Sequence, residues 1–323
     1  MPKVVRLHRY GGPEALAIEE LDPGPPGPQE LQIRHTAIGL NYIDVYDRTG
    51  LYPLELPAVL GREAAGVVVA KGKKVKDFRA GQRVAYVHTP GAYSELRNVP
   101  AERVVRVPSG ISDQEAAALM LKGLTAHYLL RRTYRVQRGE PILVHAAAGG
   151  VGLLLCQWAR ALGAVVIGVV GSDAKADLAR KNGCRQVLIS GRDDVVAGVR
   201  KLTRGAGVAV VYDSVGKDTF MESLDCLRPR GMMVSYGNAS GPPPVFSPLE
   251  LSKRGSLYLT RPTLFSYVAT RAELAAAARV LFAIVRARKV RVRIGQTYPL
   301  AEVAQAHRDL EARLTTGSTV LIP

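Results

Sequence analysis

The stretch from about residue 140 to 240 alternates short apolar runs with segments of helical spacing. The apolar runs are PILVHA, AVVIGVV, QVLIS, VAVVYDSVG and MMVSYG, and the helical segments between them cover 151–162, 173–181, 194–202 and 219–227. Strands that alternate with helices in this way predict a parallel sheet with helices on both faces. We therefore expect an α/β domain with a doubly wound parallel sheet.

Residues 1 to about 120 follow a different pattern. Short strand-like pieces such as LQIRHTAIGL and GREAAGVVVAKG are separated by DPGPPGPQE and YPLELP, and long amphipathic helices are nearly absent. Short strands divided by Gly and Pro turns predict a mainly β domain. Near the C-terminus, RAELAAAARVLFAIVRARKV predicts a helix of about five turns, before a strand, a short helix and a last strand, STVLIP. We expect this end of the chain to return to the first domain.

The composition fits two domains of ordinary size in a cytoplasmic protein. The chain has 323 residues, 47% of them hydrophobic, and a domain commonly has about 150 residues. No apolar run predicts a transmembrane helix, and the N-terminal residues lack the apolar region of a secretion signal. The three cysteines, Cys156, Cys184 and Cys226, form neither a disulfide framework nor a C-x-x-C metal motif.

The net charge of +16 would attract polyanions, and both a phosphorylated cofactor and a nucleic acid are polyanions. The basic residues are scattered, however, and no RNP-like motif, zinc finger or basic low-complexity tail accompanies them. A solvated surface of mixed charge accounts for this composition. We therefore expect no nucleic-acid partner, and a steep salt dependence of RNA or DNA binding would reveal one.

A glycine turn lies between the first strand and the first helix of the predicted sheet. Residues 147–152 read A-x-G-x-x-G, with PILVHA before them and VGLLLCQWARALG after them. The related turn G-x-G-x-x-G lets a dinucleotide pyrophosphate approach the backbone N–H groups of a helix N-terminus. The context of strand, turn and helix predicts a dinucleotide site, and a turn that serves helix packing alone is the alternative.

The end of the second predicted strand distinguishes between the two dinucleotides. An NAD site carries an acid about 20 residues after the glycines, which accepts from the ribose 2′-OH. Here the strand AVVIGVV ends at Gly171, followed by Ser172 and Lys175. A glycine leaves room for a 2′-phosphate and an ammonium pairs with it, which favours NADPH. We interpret Asp173 as an acid at the start of a helix. For Lys175, the alternative to binding the phosphate is a solvated position on the exposed face of that helix.

Pieces from nearly the whole chain resemble one family. They are, in order, GGPEAL, AIGLNYIDVYDRTGLYP, GREAAGVV, GAYSE, LKGLTAHYLL, HAAAGGVGLLLCQWARALGA, VYDSVG, SYGNASG, GSLYLTRP and GSTVLIP. The sequence resembles the zinc-independent NADPH:quinone oxidoreductases, the zeta-crystallin-like branch of the medium-chain dehydrogenase/reductase superfamily. The resemblance implies reduction of quinones by hydride or electron transfer from NADPH, without a metal. It also implies a homodimer, commonly paired through the Rossmann sheets.

The same resemblance implies two domains. A GroES-like catalytic domain comprises residues 1–122, with 263–323 returning to it, and a Rossmann domain comprises 123–262. NADPH is expected in the cleft between them.

Zinc alcohol dehydrogenases belong to the same superfamily, so their metal ligands provide a test. The positions that correspond to those ligands are Asn41 in GLNYID, Arg62 in GREAAG, and Leu121 or Lys122 in LKGLTA. None is a usual zinc ligand, and Arg62 would place a positive charge where the dication lies. We therefore expect no metal in the site.

The resemblance also implies the residues of the site. Asn41, Tyr46 and Tyr52 are the candidate catalytic residues, Asn41 as a polar contact and the tyrosines as flat faces with hydroxyl donors for a quinone. Tyrosines packed at a domain edge are the alternative. The remaining residues share an expected contact with NADPH: Tyr42, Ile43, Thr125, Tyr128, Gly149, Gly150, Val151, Gly152, Gly171, Ser172, Lys175, Ser190, Val215, Gly237, Asn238, Ser240, Phe265, Tyr267 and Thr315.

Ser190 departs from the family pattern. Many members have a tyrosine after the third strand that reaches the 2′-phosphate, and Ser190 occupies that position, so we expect this contact to be shortened or lost. Arg192, two residues later, is a candidate replacement. The six histidines form no Ser/His/Asp or metal arrangement, and we interpret each of them as structural.

Three alternatives stay open at the level of sequence. An NADPH-dependent reductase of enone or enal double bonds would use the same cofactor and a similar planar acceptor. An RNA- or DNA-binding protein with residual reductase activity belongs to another class, as does a catalytically silent protein that the cofactor stabilises. Oxidation of NADPH that depends on the acceptor would separate the first alternative from quinone reduction.

Overall fold

The computed structural model describes the whole chain, residues 1–323. It divides into two compact units. The first unit comprises Met1–Leu124, Val268–Arg286 and Val292–Pro323, and the second comprises Thr125–Tyr267 and Ala287–Arg291. Each unit is therefore built from segments that are distant in sequence.

The strands follow the apolar runs of the sequence. They are β1 (Lys3–Leu7), β2 (Leu16–Glu20), β3 (Glu30–Leu40), β4 (Ala58–Val59), β5 (Glu63–Lys71), β6 (Arg83–Val87), β7 (Leu96–Pro100), β8 (Val104–Arg106), β9 (Pro141–Val144), β10 (Val165–Val170), β11 (Gln186–Ile189), β12 (Val208–Asp213), β13 (Leu227–Ser235), β14 (Tyr258–Thr260), β15 (Ile294–Pro299) and β16 (Ser318–Ile322).

Half of the ten α-helices lie between the strands of the second unit. They are α1 (Tyr42–Thr49), α2 (Asp113–Tyr128), α3 (Gly150–Ala161), α4 (Asp173–Lys181), α5 (Val195–Leu202), α6 (Phe220–Asp225), α7 (Leu249–Lys253), α8 (Leu264–Tyr267), α9 (Arg271–Arg286) and α10 (Val303–Glu311). A π-helical turn, Leu129–Thr133, follows α2.

The second unit confirms the predicted doubly wound sheet. Its six parallel strands lie in the order β11-β10-β9-β12-β13-β14. Counted along the chain this is the Rossmann order 3-2-1-4-5-6, and the order reverses between β9 and β12. All residues of β12 are buried, as expected for a central strand with helices on both faces. Ligands of such sheets bind at the carboxyl ends of the strands beside this reversal.

The first unit is mainly β, as the sequence predicts. Its larger sheet has the order β15-β16-β3-β5-β6-β8, with β7 also on β3, and its smaller sheet has the order β2-β1-β4. The last strand, β16, pairs antiparallel with β3. The apolar core includes Leu31, Ile33, Tyr86 and Leu321, all fully buried. The C-terminal strand is thus an integral part of this sheet.

Two helices differ from the sequence expectation. Helix α9 ends at Arg286 rather than near Val290, and Arg288 has a left-handed φ of +55°, which ends a right-handed helix. Helix α2 has 16 residues and was not expected. Its start carries a capping box in which Ser112 N donates to Glu115 Oε2 (2.9 Å) and Glu115 N donates to Ser112 Oγ (3.2 Å). None of the helices is long and apolar enough to span a membrane.

Candidate functional site

The glycine turn follows β9 at the point where the strand order reverses. Gly149 is the N-cap of α3, and its N–H donates to the carbonyl of Ala146 (2.9 Å). A Cβ on Gly152 would lie 2.2 Å from the Ala146 oxygen, so only glycine allows this approach of helix to turn. Gly149, Gly150 and Val151 are half-buried, at the N-terminus of a 12-residue helix. The first turn of α3 thus offers backbone donors to an anion.

The end of the second strand, β10, provides open space beside this turn. Nothing lies within 4 Å of a Cβ built on Gly171. Ser172 caps α4, since its hydroxyl accepts from Lys175 N (3.4 Å). Asp173 is the first residue of α4, which fits its interpretation as an acid of the first turn. The end of β10 is thus followed by a glycine with open space beside it and by a serine that caps α4.

Ser190 lies beside this strand end and is exposed. Its N–H donates to the carbonyl of Val170 (2.8 Å), the last residue of β10. Arg192 donates from Nη1 to both carboxylate oxygens of Asp173 (3.0 and 3.1 Å). The side chain that follows the third strand and reaches α4 is thus an arginine.

The loops after β12 and β13 form a second group of predicted cofactor contacts. The carbonyl of Val215 accepts from the backbone of Ser240 (2.8 Å) and from its hydroxyl (3.0 Å). A Cβ on Gly237 would lie 2.5 Å from the carbonyl of Ser214. Asn238 is buried. The structure therefore brings Val215, Gly237, Asn238 and Ser240 together at the carboxyl edge of the same sheet.

Asp213 organises these loops, a role that sequence reasoning missed. It ends β12 and is fully buried. Its carboxylate accepts from Val215 N (2.7 Å), Gly216 N (3.2 Å) and Thr219 Oγ1 (2.8 Å). An acid directly after the apolar run VAVVY is a signal that could have identified it.

His145 contacts the same group, and against the expectation from sequence a Ser, a His and an Asp side chain lie together here. Its Nε2 lies 3.0 Å from Ser223 Oγ, and the Ser223 hydroxyl donates to Asp213 Oδ2 (3.2 Å). Burial lowers the pKa of His145. Ser223 thus lies between the imidazole and the carboxylate, and the three side chains join α6 to the ends of β9 and β12.

Four of the remaining predicted contacts lie at the two ends of the segment Thr125–Tyr267 of the second unit, and the fifth lies in the first unit. The rings of Tyr128 and Tyr267 stack with centroids 4.4 Å apart and an interplanar angle of 11°. Thr133 Oγ1 donates to the Tyr267 hydroxyl (2.9 Å). Thr125 is buried in α2, and Phe265 is half-buried in α8. Thr315 belongs to the first unit, between α10 and β16.

In the first unit, Asn41 lies in a buried polar cluster with Glu63 and Lys122. Asn41 Nδ2 donates to Glu63 Oε1 (2.8 Å), and Lys122 Nζ donates to the same oxygen (3.0 Å) and to the carbonyl of Leu40 (3.0 Å). Glu63 Oε2 accepts from Leu121 N (2.5 Å). The cluster fixes the amide of Asn41 at the N-cap of α1.

The two basic residues at the positions of the zinc ligands pair with different carboxylates. Arg62 donates to both carboxylate oxygens of Asp47 (2.8 and 2.7 Å). The ammonium that shares Glu63 with Asn41 belongs to Lys122. No group of three or more His, Cys, Asp or Glu side chains has the arrangement of a metal site.

The candidate tyrosines form a row along α1 and the loop after it. The rings of Tyr42 and Tyr46 are 5.5 Å apart, and those of Tyr46 and Tyr52 are 5.2 Å apart in an edge-to-face arrangement. Tyr46 is 7% exposed, and Tyr42, Ile43 and Tyr52 are half-buried. Burial raises the pKa of Tyr42. The structure thus provides a continuous row of three rings, of which the two outer ones are partly exposed.

Asp44 supports this row from the buried side of α1. Its Oδ2 accepts from Asn41 N (2.9 Å) and from the Tyr93 hydroxyl (2.9 Å), and its Oδ1 is buried without a hydrogen-bond partner. Burial, and then the neighbouring Asp47, raise the pKa of Asp44 to about 7. The start of α1 is therefore sensitive to the protonation of a buried acid.

Comparison with known proteins identifies the family. Residues 150–281 match the profile of the zinc-binding dehydrogenases, and residues 27–109 match that of the alcohol dehydrogenase GroES-like domain. A quinone oxidoreductase of Pseudomonas aeruginosa is 52% identical over the full length of both chains. The chain belongs to the quinone oxidoreductase family of the medium-chain dehydrogenase/reductase superfamily.

Two further members show how similar the chain is to this family. The crystal structure of Escherichia coli quinone oxidoreductase complexed with NADPH has a TM-score of 0.98 and 47% identity, and covers 99% of this chain and 100% of its own. A 2-haloacrylate reductase of Burkholderia is 46% identical, over 98% of both chains. The quinone oxidoreductase family thus includes a named enzyme that acts on an activated alkene.

Proposed function

We propose that this member of the quinone oxidoreductase family reduces quinones with NADPH. The observation that carries the proposal is the glycine turn at the reversal of the 3-2-1-4-5-6 sheet, with Gly152 packed against Ala146. Relatives named quinone oxidoreductase, at up to 52% identity over the full length, support the choice of acceptor.

The residues at the strand ends fit NADPH. The backbone N–H groups of Gly150, Val151 and Gly152 would hold the pyrophosphate at the N-terminus of α3, and Gly149, whose N–H donates to Ala146, would lie against it. Gly171 leaves the space that a ribose 2′-phosphate needs, since nothing lies within 4 Å of its absent Cβ. Ser172, Lys175 and the region of Ser190 would surround that phosphate. The bound nicotinamide supplies the hydride.

The chain's own contribution to the reaction is orientation of the acceptor. A quinone accepts hydride without strong activation, so positioning in a water-poor site is the main requirement. Tyr46 and Tyr52 would hold the ring and donate from their hydroxyls to its oxygens. Asn41, fixed by Glu63 (2.8 Å), would contribute an oriented amide.

Reduction of an activated carbon–carbon double bond is the second candidate function. The specific observation in its favour is the 46% identity to a 2-haloacrylate reductase. Both acceptors are small and conjugated, and the aromatic row of α1 suits either of them.

Acceptor-dependent oxidation of NADPH tests the proposal. Purified protein is mixed with NADPH and, in separate reactions, 1,4-benzoquinone, 9,10-phenanthrenequinone, an enone and 2-chloroacrylate, and the rate without protein is subtracted. Quinone turnover that decreases in Tyr46→Phe and Tyr52→Phe supports the proposal. Turnover of the alkenes alone would assign the chain to the second candidate function.

We also propose that the protein acts in the cytoplasm as a homodimer and without a nucleic-acid partner. Three unpaired cysteine thiols fit a reducing compartment. Strand β14 is the outer strand of the parallel sheet, and Tyr258 and Leu259 on it are 58% and 37% exposed. An exposed, partly apolar edge strand is suited to pairing with a second copy.

A further inference from the structure

The ends of β10 and β11 lie side by side and hold two oppositely charged residues. In the parallel register Val170 is opposite Ile189. The turn after β11 is fixed by its own hydrogen bonds, since Arg192 N donates to the carbonyl of Ile189 (3.1 Å) and Ile189 N donates to Asp193 Oδ2 (2.7 Å). The backbone thus holds Arg192 at the strand end that carries Gly171.

The guanidinium of Arg192 points back to the first residue of α4. Both short contacts to Asp173 use Nη1, and Nε lies 3.5 Å from Asp193. These contacts leave the Nη2 donors for another acceptor. A guanidinium has five donors in a planar fork that suits both carboxylate and phosphate.

The charge of Asp173 poses a problem for a 2′-phosphate site. An acid just after the second strand is the feature that favours an unphosphorylated ribose, because a carboxylate repels the phosphate dianion. Its ion pair with Arg192 neutralises that carboxylate. The arginine therefore reverses the consequence of an acid at this position.

We propose that Arg192 determines specificity for NADPH, by neutralising Asp173 and by donating to the 2′-phosphate. This inference rests on the proposed function, because it places the phosphate beside Gly171 and Lys175. It explains how the site accepts a 2′-phosphate although Ser190 is too short to reach it. Asp173 orients the arginine and would by itself oppose the phosphate.

Calorimetric titration with adenosine 2′,5′-bisphosphate and with AMP tests the inference without turnover. Arg192→Gln should weaken binding of the bisphosphate by about tenfold, as for the loss of a hydrogen bond to a charged group. The affinity for AMP should stay unchanged. Asp173→Asn in the Arg192→Gln background should restore part of the affinity, because it removes the uncompensated carboxylate. The ratio of kcat/KM for NADPH to kcat/KM for NADH should decrease in Arg192→Gln and recover in part in the double variant.

Arg180→Gln is the matched control. Arg180 pairs with Asp177 at 3.0 Å on the same helix, and the side chains are 50% and 70% exposed, against 57% and 79% for Arg192 and Asp173. The control should leave the affinity for both ligands unchanged. Equal weakening of both ligands by Arg192→Gln, or no change in either, would overturn the inference.

The two proposals fail in different ways. A wild-type protein that prefers NADPH and oxidises it with quinones, but keeps that preference in Arg192→Gln, refutes the role of Arg192 alone. A wild-type protein that neither favours the bisphosphate over AMP nor oxidises NADPH with quinones refutes both.

Discussion

At the residue scale, two glycines of the dinucleotide site differ in the space around them. A Cβ on Gly152 would lie 2.2 Å from the carbonyl oxygen of Ala146, whereas nothing lies within 4 Å of one on Gly171. Gly152→Ala should therefore destabilise the protein by about 1–3 kcal/mol, as overpacking does, and weaken NADPH binding.

Gly171→Ala should leave the unfolding free energy within about 0.5 kcal/mol of wild type and affect NADPH binding alone. Urea unfolding and a fluorescence titration with NADPH measure the two effects. A stable Gly152→Ala variant with unchanged binding would show that close packing of α3 on the turn is dispensable.

The buried Asp44 predicts a pH-dependent stability. Its pKa is raised to about 7 in the folded protein and is about 3.9 in an unfolded chain. Between these values the folded state binds more protons than the unfolded state, so this group lowers stability as the pH rises from about 4 to about 7. Asp44→Asn retains an acceptor for Asn41 N and the Tyr93 hydroxyl and removes this loss.

Melting temperatures across pH 4–8 test this expectation. The free energy of unfolding of Asp44→Asn relative to wild type should increase by a few kcal/mol as the pH rises from about 4 to about 7, at about 1.4 kcal/mol per unit of pKa difference. Above pH 7 it should level off. A difference that is constant with pH would contradict it. The lowered pKa of His35, about 4, affects both proteins equally and cancels in the comparison.

Single residues were the hardest part to infer from sequence. Gly152 and Ser172 follow from the pattern of strand, turn and helix, and their places in the structure fit it. Glu63 and Lys122 were not assigned functional roles, because each acts through partners distant in sequence. Asp213 was missed although its partners are local. Asp213 binds N–H groups of its own loop, and Glu63 joins β5 to α2 only once the first unit has folded.

At the element scale, the Glu63–Lys122 pair joins β5, α2 and the start of α1. Lys122→Met would leave the fully buried carboxylate of Glu63 without its ammonium partner. We expect a loss of about 3–5 kcal/mol, as for other broken buried pairs. The double variant Glu63→Gln/Lys122→Met should lose less unfolding free energy than the two single variants lose in sum.

A double-mutant cycle by urea unfolding measures this coupling. Lys71→Met is the control, since Lys71 Nζ donates to the carbonyl of Val75 (2.9 Å) in a less buried place, and it should cost little. Single effects that add within about 0.5 kcal/mol would show that the pair does not act as a unit.

The elements themselves were largely predictable where periodicity was strong. Helix α4, predicted at 173–181, spans Asp173–Lys181. Helix α2 escaped prediction because its apolar residues are nearly all buried and give little amphipathic contrast, although the sequence SDQE is a capping-box signal. Helix α9 was predicted too long, because its end depends on the left-handed Arg288.

At the scale of the whole molecule, the alternation of strands and helices predicted a doubly wound parallel sheet, whereas the strand order β11-β10-β9-β12-β13-β14 is known from the structure alone. The pairing of the last strand, β16, with β3 was expected only in outline. Its register depends on long-range contacts that no local pattern encodes.

The proposed homodimer gives a prediction at the same scale. Tyr258→Asp places a charge on the exposed edge strand β14 and should shift the sedimenting species from dimer to monomer. Leu314→Asp, at a side chain that is 73% exposed in the first unit, should leave the dimer unchanged. Sedimentation velocity distinguishes the two. A monomeric wild type, or a dimeric Tyr258→Asp, would contradict pairing through this edge.

The most direct test of the whole account is a titration of the purified protein with NADPH and with NADH, followed by oxidation of the bound cofactor with 1,4-benzoquinone. We expect NADPH to bind more tightly than NADH and to be oxidised by the quinone much faster than in the absence of protein. No binding of NADPH would mean that AAAGGVG is only a turn, and the account would be wrong.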